Sequence, residues 1–139
     1  MVTYVCRAVR IESLANNSYV VGSEKSGRCI VIDPARDIDQ YVQIAANHGT
    51  RIVYAFETHV HNDFVSGARE LADQIGCQAA ASASGGLLFP SVRLQQGDKF
   101  DLGDYLGRKF SANLIPYEAC CRVASRRPMG PPRRGKISC

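Results

Sequence analysis

An α/β fold with parallel strand pairing is predicted for this chain of 139 residues by three features of its sequence. Continuous apolar runs rich in β-branched and aromatic residues read as buried strands, amphipathic segments of helical period lie between them, and the two kinds alternate along the chain. The length is that of one domain with a single hydrophobic core. A hydrophobic fraction of 45% and a charged fraction of 22% are those of an ordinary globular chain. No apolar stretch reaches the ~18 residues that a membrane helix needs. The N-terminus, MVTYVCRAVRIES, scatters arginines among apolar residues instead of placing a basic head before an apolar block, so a cytoplasmic address without membrane attachment is expected.

The elements follow in order. NSYVVGSEKSGRCIVIDP, residues 17–34, is two β-rich runs around a polar turn, a hairpin. Its second run is apolar at successive positions, as in a strand covered on both faces, and it ends on Asp33-Pro34. RDIDQYVQIAANHG places Ile38, Tyr41, Val42 and Ala45 on one helical face, with Asp37 as the N-cap, Gln40 three residues on, and Gly49 as the stop. His48 falls in the last turn, where the helix dipole favours it, and this role is preferred over that of a ligand. RIVYAFE is a second buried strand. VSGARELADQIG spaces Val65, Ala68, Leu71, Ala72 and Ile75 for an amphipathic helix closed by Gly76. CQAAASA is a weaker strand, ASGGLLFPS a loop, and VRLQQGDKFDLGD two short strands around a Gly-Asp turn.

Between the second strand and the second helix stands ETHVHNDFVS, with His59, His61 and Asp63 at alternate positions. The loop after the carboxyl end of a parallel strand is where open α/β sheets place their ligand sites. Two imidazoles and a carboxylate there can be aimed at one cation: histidine suits zinc and iron, and carboxylate is the harder ligand that iron or manganese favours. Asp63 has a second reading, as the N-cap of the following helix. Six cysteines fall in no C-x-x-C pair, and Cys6, Cys29 and Cys77 read as small hydrophobes in a reducing compartment.

T-H-V-H-N-D, preceded by an apolar strand and followed by F-V-S-G-A-R-E-L-A, resembles the metallo-β-lactamase fold superfamily, whose signature is T-H-x-H-x-D-H. More closely it is similar to the persulfide dioxygenases and rhodanese-associated members, where phrases like Glu-Thr-His-x-His-x-Asp-Phe-x-Ser-Gly recur. The resemblance covers residues 1–104 and includes Ile32-Asp33-Pro34. It implies the N-terminal half of an αββα sandwich, with the metal lying between two similar halves. It also implies His59 as a ligand to one iron(II), His61 and Asp63 at the other metal-site positions of the motif, and a persulfide such as glutathione persulfide as substrate. Zinc(II) is the alternative metal, with glyoxalase II-like thioester hydrolysis as the alternative activity. Asp33 is expected to orient a ligand from behind, or else to serve a turn or a helix cap. Phe64 stands where the motif's last histidine helps to hold a second metal; an apolar ring cannot, which favours a mononuclear iron site.

The remaining segment has a different composition. Residues 105–139 hold eight lysines and arginines against Glu118, a net +7 that leaves −3 on residues 1–104 out of the total of +4. Four of the six prolines fall here, with no histidine and no aspartate, so neither the later H-T-x-G-H histidine nor the later aspartate of the family is found. A disordered basic tail is predicted, produced by a reading-frame change or a premature truncation, and with it an impaired catalyst. Half a sandwich is expected to leave a sheet face uncovered and to self-associate through it. A non-catalytic binder using the basic tail is the alternative from another class. Nucleic acid is an unlikely partner for it, because the front part is acidic.

Overall fold

The computed structural model describes residues 4–11, 16–58, 66–83, 89–95, 98–102, 109–113 and 122–125. Six strands form one sheet in sequence order: β1 (Tyr4–Ile11), β2 (Asn16–Ser23), β3 (Arg28–Ile32), β4 (Arg51–Glu57), β5 (Gln78–Ser82) and β6 (Val92–Leu94). The first three pair antiparallel, and β3 to β6 run parallel. Two helices, α1 (Asp39–Asn47) and α2 (Ala68–Ile75), make the crossovers from β3 to β4 and from β4 to β5. Parallel strands need such crossovers, which is why the apolar runs are separated by helical segments.

Strand alternation divides the apolar residues between two faces. Val5, Val20, Cys29, Val31, Ile52 and Ala55 pack with Ile38, Tyr41, Ala45, Ala68 and Leu71 of the helical layer. The β3–β4 register shifts after Cys29, which pairs with Ile52, while Ile30 pairs with Tyr54. The extra residue lets Ile52 and Ala55 share the helix-covered face. Tyr19, Val21, Ile30, Ile32, Phe56, Ala80 and Leu94 form the opposite cluster, joined by Leu102. These residues are buried, where an uncovered sheet face is expected from half a sandwich. Cys29 and Cys77 are free, buried thiols, and burial raises both pKa values, that of Cys77 to about 11; they stay protonated and unreactive.

Several local expectations need correction. The residue capping α1 is Ile38, with no side-chain bond, and Gln40 Nε2 donates to the Asp37 carbonyl at 2.8 Å instead of completing a capping box. Ile38, Tyr41 and Ala45 are buried as expected, but Val42 is exposed and Ile44, on the other side of the stripe, packs in its place. His48 caps the C-terminal end of α1, and Gly49 follows in the left-handed region at φ +61°. Strand β1 has a signal that was easy to pass over: Val5, Val9 and Ile11 alternate with Arg10 and lie along an edge. The short strands of VRLQQGDKFDLGD form, but not as partners. β6 joins the large sheet, and β7 (Lys99–Asp101) pairs with β8 (Lys109–Asn113), itself paired with β9 (Arg122–Ser125).

Strands β8 and β9 lie in the segment read as a disordered tail. K-F-S-A-N alternates polar and apolar residues over a run too short to register as a sustained period, and antiparallel pairing with neighbours satisfies its backbone groups. The other residues of 105–139 lie outside the described residues. Among the described residues, no helix is long and apolar enough to cross a membrane.

Candidate metal centre

Strands β3 and β4 are parallel neighbours, with Ile32 opposite Phe56, so the segments leaving their carboxyl ends start side by side. From β3 comes Asp33-Pro34-Ala35; from β4 comes Thr58 and the histidine motif. His59, His61, Asp63 and Phe64 lie outside the described residues. Among the described residues, no group of three or more His, Cys, Asp and Glu side chains could hold a metal ion.

The structure defines how that motif is held at both ends. Asp33 is buried, with a left-handed backbone at φ +49°, and its N–H donates to the Phe56 carbonyl at 2.8 Å. Its carboxylate accepts the Thr58 N–H at 2.8 Å and the Thr58 hydroxyl at 2.6 Å. Thr58 immediately precedes His59. On the far side, the Gly67 N–H donates to the Pro34 carbonyl at 2.8 Å, and Ala35 forms an isolated antiparallel bridge with Ser66. Entry and exit of the motif are therefore both tied to the turn at residues 33–35. Asp33 acts through a strand-end carboxylate, and no helix cap is involved.

The alternative role of Asp63 is resolved by the start of α2. Its capping residue is Gly67, and the Ser66 hydroxyl accepts the Ala68 N–H at 3.0 Å. Asp63 lies four positions before the capping residue and does not fill that role. His48 is committed elsewhere: Nδ1 is 2.8 Å from Glu24 Oε1, and Nε2 accepts a bond from Arg7 Nε at 3.4 Å.

Glu57, one residue before Thr58, is 5% exposed. Burial, and secondarily the charge of Asp33, push its pKa from 4.5 up to about 8. Between these values the unfolded chain releases the proton while the folded chain retains it, so stability falls as pH rises from 4.5 and levels off above about 8. Glu57→Gln removes this ionisation. Urea unfolding in the presence of a chelator is expected to show the variant more stable than the parent chain at pH 9 by up to roughly 5 kcal/mol, with little difference near pH 4. Equal pH profiles for the two proteins would contradict the buried neutral carboxyl. The chelator matters because a bound cation stabilises the ionised form.

The metallo-beta-lactamase superfamily profile matches residues 12–130. The chain belongs to the metallo-beta-lactamase superfamily. The match runs beyond residue 104, where the motif-based resemblance stops. Among curated relatives, the mitochondrial persulfide dioxygenase ETHE1 of Bos taurus is 29% identical over 90 residues, covering 63% of this chain and 35% of the relative. A hydroxyacylglutathione hydrolase of Nostoc punctiforme is 29% identical over 102 residues, covering 70% of this chain and 39% of the relative. The chain thus spans little more than a third of the length of these relatives. A metallo-beta-lactamase from Staphylococcus aureus superposes with a TM-score of 0.73 at 27% identity, covering 80% of this chain and 34% of that one. ETHE1 from Myxococcus xanthus superposes with a TM-score of 0.69 at 22% identity, covering 78% and 47% respectively, which supports the fold alone.

Sequence reasoning found Asp33 but missed what surrounds it. Tyr41 reads only as an apolar helix face, and Ser18 as a strand residue; both place hydroxyls at this turn. Glu57 reads as the polar end of a strand, with nothing in the sequence to mark its burial. Only Ser66-Gly67, small residues before a helix, carries a visible signal of close approach.

Proposed function

We propose that this superfamily member binds a single iron(II), as the persulfide dioxygenases do, with His59 and beside it His61 and Asp63 supplying part of the ligand set and zinc(II) as the alternative metal. Phe64 carries this reading, because it puts an apolar ring where the dinuclear members have a metal-binding histidine. The donor types fit: imidazole and carboxylate are ligand types of non-haem iron(II), and the three residues supply part of such a set. The tie of Thr58 and Gly67 to one buried turn supports it, since ligands on a short loop need a rigid frame.

Iron(II), when bound, would supply the redox chemistry by which O₂ and water convert a low-molecular-weight persulfide such as glutathione persulfide to sulfite and the free thiol, with cleavage of the S–S bond. The chain's own residues do the rest: His59, His61 and Asp63 bind, and Asp33 fixes the backbone entering the ligand loop. His48 is engaged with Glu24 and Arg7, and the sequence holds no histidine after His61 and no aspartate after Asp104. The 139-residue chain by itself therefore offers a partial ligand set, with weak metal binding and impaired catalysis. The second reading is a zinc hydrolase of thioesters, favoured by the similarity to hydroxyacylglutathione hydrolase. Cobalt(II) titration followed by visible absorption separates the two: one cobalt per chain is expected, and two per chain would favour the hydrolase.

A further inference from the structure

The turn that holds both ends of the ligand loop is itself held from below by a buried hydroxyl pair. The Ala35 N–H lies 2.8 Å from the Tyr41 hydroxyl, which lies 2.8 Å from Ser18 Oγ, which lies 2.7 Å from the Asp33 carbonyl. The direction of this chain is forced at both ends. An amide N–H can only donate and a carbonyl can only accept, so Tyr41 accepts from Ala35 and donates to Ser18, and Ser18 donates to Asp33. Tyr41 and Ser18 are both fully buried, so water does not substitute for either link. Burial raises the Tyr41 pKa, so the phenol keeps the proton that the chain requires.

The geometry of this chain serves the turn and not the helix. It satisfies the peptide groups on either side of Pro34, which has no N–H of its own. It holds Asp33 at a positive φ that a non-glycine residue rarely adopts without support. From the turn so held, the Asp33 carboxylate reaches Thr58, the Pro34 carbonyl reaches Gly67, and Ala35 bridges to Ser66. Three elements distant in sequence, β2, α1 and the β3 end, thereby set the separation between the two ends of the 59–65 segment.

We propose that Tyr41, acting through Ser18, is a positioning residue for the metal site: it fixes the turn at residues 33–35, and through it the anchors Thr58 and Gly67 on either side of the segment that carries His59, His61 and Asp63. This rests on the reading of those three residues as ligands. Side chains that orient ligands from behind a metal site commonly change affinity by 10- to 100-fold when removed. Because the phenol touches neither ligand nor metal in this scheme, its removal is expected near the lower limit.

The test is cobalt(II) affinity, read by absorption titration, of the full 139-residue chain and five variants at a temperature where circular dichroism shows each to be folded. Tyr41→Phe is expected to bind cobalt roughly 10-fold more weakly, and Ser18→Ala, which keeps the Ala35–Tyr41 bond, to weaken it in the same direction. The double variant is expected to show less than the sum of the two effects, because both break one chain. Leu94→Ala, a core change on the edge strand β6 in the opposite cluster, is expected to lose stability with unchanged cobalt affinity. His59→Ala is expected to abolish binding.

If Tyr41→Phe fails to fold, Ser18→Ala decides alone. Parent-like affinity in the folded Tyr41→Phe or Ser18→Ala protein, with His59→Ala inactive in binding, overturns the positioning role and leaves the ligand assignment standing. An equal loss in Leu94→Ala also overturns it, since the effect would then follow stability alone. Unchanged binding in His59→Ala overturns the ligand assignment and this inference together.

Discussion

Replacing Gly67 by alanine is expected to cost about 3 kcal/mol or more of folding stability, near the upper limit for overpacking a closed site. The backbone there is ordinary, with φ −82°, so conformational preference is not the cause. The cause is space: a Cβ at this position would lie 2.0 Å from the Ala35 carbonyl oxygen and 2.9 Å from its carbon. Both atoms belong to the backbone of a turn held by the Gly67 N–H bond to Pro34, so neither can give way as a side chain would. Gly76 provides the control. Its φ of +76° strains any L-residue, but an added Cβ meets nothing within 4 Å, so Gly76→Ala is expected to cost only about 1 kcal/mol. Urea midpoints of the two variants measure the difference, and equal losses would contradict the close approach.

Asp33→Ala is expected to destabilise by about 3 kcal/mol or more. It removes a charged acceptor from two bonds to Thr58, each of a kind worth about 1.5–3 kcal/mol. It also places alanine at a positive φ that aspartate and asparagine tolerate better. Two opposing effects limit the loss: the buried carboxylate's desolvation disappears, and so does its repulsion of Glu57. Asp33→Asn keeps one acceptor and the backbone preference, and is expected to lose roughly half as much. Denaturant unfolding at pH 6, where Glu57 is largely protonated in the folded chain, gives the cleanest comparison. A loss under 1 kcal/mol in the alanine variant would show that the Thr58 anchor contributes little.

These two residues mark how far the sequence could be read. Periodicity gave the alternation of β3, α1, β4, α2 and β5, because burying one face of each element imposes a period that survives in the letters. The three ligand candidates were equally visible, since two imidazoles and a carboxylate at alternate positions have few other uses. The Asp33–Thr58 bond and the Tyr41–Ser18 chain were not visible, because they join residues 25 and 23 positions apart whose types are common on surfaces. Local chemistry favours Asp37 as the α1 cap, but the chain enters that helix through Ile38, whose side chain is in the core. Tertiary packing overruled a local preference worth about 1 kcal/mol. β8 and β9 were missed because strands of five and four residues hardly establish a period, and pairing partners do not appear in a single strand's composition.

The central claim is that His59, His61 and Asp63 form part of a mononuclear iron site that this chain alone does not complete. The most direct measurement is anaerobic iron(II) loading of the 139-residue protein, chelator treatment, and oxygen uptake with glutathione persulfide, with His59→Ala in parallel. Weak binding that the chelator reverses and that His59→Ala abolishes, with no persulfide-dependent oxygen uptake, is the predicted result, because metal affinity depends steeply on ligand number and on the groups supporting them. Near one iron per chain surviving the chelator, with oxygen consumption lost in His59→Ala, would contradict it and show that the site is completed from elsewhere in the chain or by a second copy.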